Sequence, residues 1–186
     1  MSRVVVFGGS GFLGSYVADE LNKRGYEVVV ADRKKSAHLS GEEKFVLCDI
    51  MDPRSIEDVL KSVDFVFNFA GLANLDDCIE QPKLTIEQNV IGNINILEEC
   101  RKTSLKRFVY ASSAYAFSNK GSFYGISKLA SEKIVEEYYF RHGLHYTTIR
   151  YGSLYGERAD ENNGVYRMLR DAIERGIIEH RGDGNE

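Results

Sequence analysis

The sequence predicts an α/β fold, a doubly wound parallel sheet with helices on both faces. Three observations predict it. Short apolar runs alternate with segments of helical length along most of the chain. Those runs are continuously apolar, as in strands covered on both faces, rather than alternating as in a sheet with one wet face. The first run passes through a cluster of glycines straight into an amphipathic segment, the pattern of a strand–turn–helix unit.

In chain order, "VVVFG" at 4–8 reads as the first strand and 12–24 as the first helix. "EVVVAD" at 27–32 and "KFVLCD" at 44–49 follow as strands. A helix opens at 53–61, because the Asp52 side chain can cap free N–H groups and Pro53 suits the first helical position. "DFVFNFAG" at 64–71 is the fourth strand, followed by a helix at 83–103. "RFVYASS" at 107–113, a helix at 124–142 and "HYTTIRY" at 145–151 complete six units. Right-handed crossovers between parallel strands make the doubly wound (Rossmann) topology the natural one. In 162–176, Val165, Met168, Leu169, Ala172 and Ile173 share one helical face, and a short strand is expected within "IIEHRGDGNE" at 177–186.

Composition narrows the partners. The 186 residues are 43% hydrophobic and 28% charged, with a net charge of −4 and both signs mixed. No basic run or basic amphipathic helix points to nucleic acid or a membrane surface. "MSRVVVFGG" is too short an apolar run for a signal peptide, and no stretch is long enough to span a bilayer. Cys48, Cys78 and Cys100 form no CxxC pair and are odd in number, which reads as reduced thiols and a cytoplasmic location. His38, His142, His145 and His180 lack metal-ligand spacing, so no metal site is expected.

"GGSGFLG" fits both Gly9-x-Gly11-x-x-Gly14 and Gly8-x-x-Gly11-x-x-Gly14. One glycine turns sharply out of the strand, one lets a pyrophosphate approach the main chain, and the last lets helix and sheet pack closely. Phosphates then meet free N–H groups and the positive end of the helix dipole. Asp32 ends the second strand, where a carboxylate accepts the hydroxyls of an adenosine ribose. This favours NAD over NADP, although Arg33 and Lys34 could pair with a 2′-phosphate. Asp49 is left free by the Asp52 cap to meet an adenine amino group, with Ile50 beside it. Phe69, Ala70 and Gly71 end the fourth strand with small residues, as if a further stretch of cofactor passes there.

Tyr124 and Lys128 in "SFYGISKLASEK" stand four apart on one helical face. A free phenol, with a pKa of about 10, is a poor base at neutral pH, and a neighbouring ammonium would lower it. Ser113 ends the fifth strand at the carboxyl edge, where such sheets bind ligands and where its hydroxyl can hold a reacting oxygen. Together the three predict hydride-transfer chemistry.

These residues resemble the extended short-chain dehydrogenase/reductase family, in its NAD-dependent epimerase/dehydratase branch acting on nucleotide sugars. The resemblance rests on "GGSGFLG", Asp49-Ile50, "FAGL", "NVIGNINILEE", "SSAYAF", "YGISK" and "IRYGSLYGER". It implies that Tyr124 is the base, Lys128 its partner and Ser113 the third catalytic group. It also implies that Phe12 and Leu13 lie along the pyrophosphate and that Asn89 contacts the cofactor region. The implied activity is sugar-nucleotide epimerisation: Tyr124 removes a hydroxyl proton while hydride passes to bound NAD, and hydride returns to the other face of the keto sugar. Two alternatives stand beside it, a reductase or dehydrogenase exchanging NAD(P)H each cycle and a non-catalytic NAD(P)-binding regulatory or scaffold protein.

Several positions depart from the family pattern. Ala73 stands where the epimerases carry a lysine, and Ala114-Tyr115 where dehydratases carry an Asp-Glu pair. Ten residues separate Ser113 from Tyr124, fewer than usual, which implies a more open pocket. Tyr151-Gly152-Ser153 replaces Tyr-Phe-Asn, keeping Tyr151 as a cofactor contact while altering nicotinamide and substrate contacts beside it. "RGDGNE" resembles the start of a segment that continues in relatives. The expected organisation is therefore a cofactor domain over 1–158 and, over 159–186, the start of a substrate-binding lobe. The resemblance also implies a homodimer through helices 83–103 and 124–142.

Overall fold

A computed structural model describes residues 1–178. Its six strands are β1 (Arg3–Phe7), β2 (Glu27–Asp32), β3 (Lys44–Leu47), β4 (Phe65–Asn68), β5 (Arg107–Ser113) and β6 (Tyr146–Tyr151). They form one sheet in the order β3-β2-β1-β4-β5-β6, and every pairing is parallel. This is the doubly wound order. The connection from β3 to β4 crosses back over β1, so the chain winds outward in opposite directions from a switch point between β1 and β4. A crevice opens there at the carboxyl edge.

Both faces of the sheet are buried, as the continuous apolar runs require. Val5 and Phe7 of β1 pack on one side with Val29, Val66, Ile96 and Leu97. Val4 and Val6 pack on the other with Val28, Val30 and Ala18. Each such valine, fully withdrawn from water, contributes about 1.5–3 kcal/mol, so β1 is the fixed centre from which the crevice is built.

The helices are α1 (Phe12–Lys23), α2 (Pro53–Val59), α3 (Leu75–Glu80), α4 (Pro82–Ile86), α5 (Gly92–Cys100), α6 (Ser122–His142) and α7 (Gly164–Arg175). Asp52 caps α2 by accepting from the Arg54 N–H at 3.1 Å. The single helix expected over 83–103 is instead α4, a π turn at Glu87–Ile91, and α5. The wide turn is held from outside, because the Ser131 hydroxyl donates to the Asn89 carbonyl at 2.8 Å. Helix α3 was not anticipated. Its cap is Asn74, whose Oδ1 accepts from the N–H groups of Asp76 and Asp77 at 2.9 and 3.1 Å, an Asn-x-Asp-Asp signal legible in principle.

Two compact units are present, Met1–Gly152 and a second beginning at Ser153, where the sequence reading drew its line at 158. In the second, α7 is capped by Asn163, whose Oδ1 accepts from the Tyr166 N–H at 3.1 Å, and it ends at Gly176 in the left-handed region. None of its side chains is buried. Ile177 and Ile178 are irregular, and the rest of the strand expected at 177–186 lies outside the described residues.

Candidate active site

The glycine turn joins β1 to α1, and its glycines serve different ends. Gly8 has φ +71°, and a Cβ there would lie 2.6 Å from the Ala70 nitrogen. A Cβ on Gly14 would lie 2.2 Å from the Gly8 carbonyl oxygen, so its bareness lets α1 seat on the turn. Gly11 is different. A Cβ there would meet nothing closer than the Gly8 oxygen at 3.3 Å, and the residue is exposed. It is also the N-cap of α1, with no side-chain cap bond, so the first-turn N–H groups next to Phe12 and Leu13 have no side-chain acceptor. Protein packing demands Gly8 and Gly14 but leaves Gly11 bare toward solvent. That fits a diphosphate received on uncovered main chain.

A cleft of about 150 Å³ follows this edge, lined by Gly8, Gly11, Asp32, Arg33, Ile50, Phe69, Ala70 and Gly71, together with Ala31, Cys48 and Gln88. A larger hollow of about 680 Å³ opens at the opposite, amino edge among Lys61, Asp64, Glu99 and Lys102. The smaller cleft is the candidate site on chemical grounds, since it adjoins the glycine turn at the carboxyl edge.

Asp32 holds the glycine loop itself. Its Oδ2 accepts from the Ser10 N–H at 3.1 Å and its Oδ1 from the Lys34 N–H at 3.4 Å. A carboxylate has about four acceptor sites, so lone pairs remain for a ligand. Asp49 is less free than its position suggested. Its Oδ1 accepts from the Met51 N–H at 2.9 Å, closing its own turn, and the cleft wall at this point is Cys48 and Ile50.

Asn89 and Gly71 belong together. Gly71 has φ +138°, and a Cβ there would lie 2.4 Å from Asn89 Oδ1. The Asn89 Oδ1 accepts from the Leu72 N–H at 2.7 Å, while its Nδ2 donates to the Leu72 carbonyl at 3.0 Å and to Ser127 Oγ at 2.9 Å. The small residues after Phe69 thus make room for a buried asparagine, rather than only for a ligand. Phe69 lies with its ring 6.5 Å from that of Phe67 and 6.3 Å from that of Tyr151.

Ser113, Tyr124 and Lys128 come together at the ends of β5 and α6. The Ser113 hydroxyl accepts from the Tyr115 N–H at 3.2 Å and acts on the Tyr124 phenol to lower its pKa. Lys128 is buried, and its Nζ donates to the Ala111 carbonyl at 2.9 Å. The same nitrogen lies 5.1 Å from the Tyr110 ring centre and 5.6 Å from that of Tyr124.

The electrostatics of this pair differ from the sequence expectation. Burial pushes the Lys128 ammonium down to about 8. Burial also raises the Tyr124 phenol above its ordinary value, and the Ser113 hydrogen bond offsets only part of that. The physical reason is that the lysine is itself desolvated and turned to the Ala111 carbonyl.

Sequence reasoning missed the residues that hold this triad. Ser127 Oγ donates to the Tyr124 carbonyl at 2.7 Å and receives the Asn89 amide, while Ser131, also buried, holds the Asn89 carbonyl. Glu132, nearly buried, takes two hydrogen bonds from Arg150 of β6, at 2.9 and 2.8 Å. The available signal was a polar stripe, Tyr124, Ser127, Lys128, Ser131 and Glu132, on the face where a core-facing helix should be apolar. Among the described residues no cluster of His, Cys, Asp and Glu could hold a metal ion, and no helix is long and apolar enough to cross a membrane.

Comparison with known proteins returns the same pattern. The family model described as the NAD dependent epimerase/dehydratase family matches residues 4–186. A putative UDP-glucose 4-epimerase of Methanocaldococcus jannaschii is 31% identical, over 98% of this chain and 67% of its own. The UDP-glucose 4-epimerase of Thermotoga maritima, solved with UDP-glucose, is 30% identical with a TM-score of 0.89, covering 98% of this chain and 66% of that one. The UDP-glucose 4-epimerase of Thermus thermophilus, solved as a complex with NAD, is 29% identical with a TM-score of 0.83, covering 92% of this chain and 62% of that one. The chain therefore spans about two thirds of the length of each of these three relatives.

Proposed function

This chain belongs to the NAD dependent epimerase/dehydratase family, and from that premise we propose that it binds NAD and serves sugar-nucleotide epimerisation with Tyr124 as base. The observation that carries this reading is that Ser113 at the end of β5 and Tyr124 near the start of α6 share one sheet edge with the exposed Gly11, while the buried Lys128 sets its Nζ 5.6 Å from the Tyr124 ring centre and on the Ala111 carbonyl. The complexes of relatives with NAD and with UDP-glucose support it.

NAD, when bound, supplies a hydride acceptor. The chain's own residues do the rest. Gly11 and the first turn of α1 take the diphosphate, and Asp32 accepts ribose hydroxyls with the lone pairs that Ser10 and Lys34 leave. Ser113 Oγ holds the oxygen of the reacting sugar hydroxyl, and Tyr124 takes its proton. With its pKa raised by burial, the phenol stays protonated at neutral pH. It becomes a base when positive charge beside it outweighs the desolvation, so proton abstraction waits for a loaded site.

Residues 159–186 are, on this reading, the start of a substrate-binding lobe. On this reading the protein is a cytoplasmic homodimer through the segment of α4, the π turn and α5 and through α6, on which Ile91 and Phe140 stand exposed. The three cysteines are free and buried, in keeping with a reducing compartment. One observation favours a second reading, an NADPH-dependent reductase: Arg33 lines the cleft next to Asp32, where it can meet a 2′-phosphate.

The test begins with denaturing the purified protein and identifying any released nucleotide. The protein is then incubated with UDP-, GDP- and dTDP-sugars. Released NAD together with an isomerised sugar is the expected result. A strict requirement for added NADPH would favour the reductase, and the absence of turnover with retained NAD binding would favour a regulatory or scaffold protein.

A further inference from the structure

We propose that Tyr115 is the wall of the substrate site, the aromatic surface on which the sugar ring stacks, and that it selects ligands presenting a C–H face. The proposal rests on the reading of the site as a nucleotide-sugar site next to Tyr124.

The main chain of Tyr115 is fixed on every side while its ring is left in the open. Its N–H donates to Ser113 Oγ at 3.2 Å, and its carbonyl accepts from the Ser118 N–H at 3.1 Å. Two glycines make way for it. A Cβ on Gly121 would lie 2.8 Å from the Tyr115 carbonyl oxygen, and one on Gly125 would lie 2.6 Å from it. Gly125 stands inside α6, where glycine weakens a helix, so helix stability is given up to seat this one residue closely. The far end of the short loop is anchored as well. The Arg150 guanidinium lies over the Phe117 ring at 4.0 Å and is itself held by Glu132.

On this rigid base Tyr115 remains 36% exposed. The Tyr115 and Tyr124 rings meet in a T-shaped arrangement, with centroids 6.4 Å apart and planes at 73°. A tyrosine serving only the core would bury its ring. One held rigidly by its backbone, and still exposed beside the Tyr124 phenol, is arranged as a contact surface. A pyranose offers a matching partner, because the axial C–H groups of one face pack on an aromatic ring while its hydroxyls bond at the rim. Where related dehydratases hold an acid at this position, the chain therefore has a flat apolar wall.

The test uses the 186-residue chain with NAD, and UDP-glucose as the probe. NAD affinity is read by fluorescence, and UDP-glucose affinity and ring-current shifts by proton NMR. Tyr115→Leu, which keeps apolar bulk but loses the flat ring, is expected to weaken UDP-glucose about tenfold and abolish the upfield shift of the glucose protons. Its NAD affinity should stay within about twofold, a change of less than about half a kcal/mol. Tyr115→Phe should keep both affinities and the shift. Gly125→Ala, which pushes on the Tyr115 carbonyl, should weaken UDP-glucose with the ring still present. Unshifted glucose protons in the parent, no UDP-glucose binding to the NAD-loaded parent, or parental affinity in Tyr115→Leu would each overturn the proposal. Failure of the parent to bind NAD would overturn the functional reading beneath it.

Discussion

The side-chain amide of Asn89 replaces a missing peptide partner for Leu72, accepting from its N–H at 2.7 Å and donating to its carbonyl at 3.0 Å. The pairing ties the loop after β4, which carries Phe69, Ala70 and Gly71 along the cleft, to the π turn and through Ser127 to α6. Asn89→Ala leaves both Leu72 groups without this partner and should cost about 3 kcal/mol of stability, as three lost hydrogen bonds with buried groups would. Urea denaturation measures the loss, and hydrogen exchange should show the Leu72 amide opening faster. Unchanged protection at Leu72 would contradict this role.

The glycines of the turn separate folding from binding. Gly14→Ala drives a Cβ into the Gly8 carbonyl at 2.2 Å, backbone against backbone, and should cost more than about 3 kcal/mol or prevent folding. Gly11→Ala meets no such obstacle and should keep stability within about 1 kcal/mol. Its NAD affinity should nevertheless fall by at least about tenfold, because the added methyl stands where the diphosphate must approach. Calorimetric binding set beside a melting curve distinguishes the two variants.

Lys128 carries a pH signature. Its folded pKa of about 8 lies below the ordinary 10.5, so the folded state resists the proton that the unfolded chain accepts. The resulting destabilisation is complete below about pH 8, roughly 3 kcal/mol at 1.4 per unit, and disappears as pH rises through 10.5. Lys128→Met should therefore be more stable than the parent at pH 7, by about 1–3 kcal/mol after the lost Ala111 hydrogen bond is counted. Denaturant titrations should show that advantage shrinking between pH 8 and 10.5. A gap that does not change with pH would mean the lysine is not desolvated as described.

The Glu132–Arg150 pair gives the opposite slope. Burial raises the Glu132 carboxyl, but the two hydrogen bonds and the positive charge of Arg150 outweigh it and hold the group below its ordinary value. Its contribution is present above the unfolded value of 4.5 and is lost as pH falls through the folded one. Arg150 is half exposed, so Arg150→Ala should cost about 2 kcal/mol at pH 7 rather than the larger figure for a fully buried pair. The difference from the parent should narrow below about pH 4.5, which stability measurements across the acid range would reveal.

The strands and the glycine turn were legible because their causes are local. An apolar run covered on both faces, an Asp-Pro helix start and a glycine forced to positive φ each announce themselves within a few residues. The same holds for Tyr124 and Lys128, brought to one face by helix pitch alone. The π turn at 87–91 was not legible, because it depends on Ser131, 42 residues away in sequence.

By itself, then, the sequence determined the sheet, its crevice and the candidate side chains along it, all of which follow from short-range periodicity and turn chemistry. Tertiary structure alone decided what surrounds them. It assigned Gly71 to Asn89, turned Lys128 onto the Ala111 carbonyl, and left the Tyr115 ring open beside Tyr124. Desolvation and long-range hydrogen bonds set those outcomes, and both depend on which distant segments fold against each other.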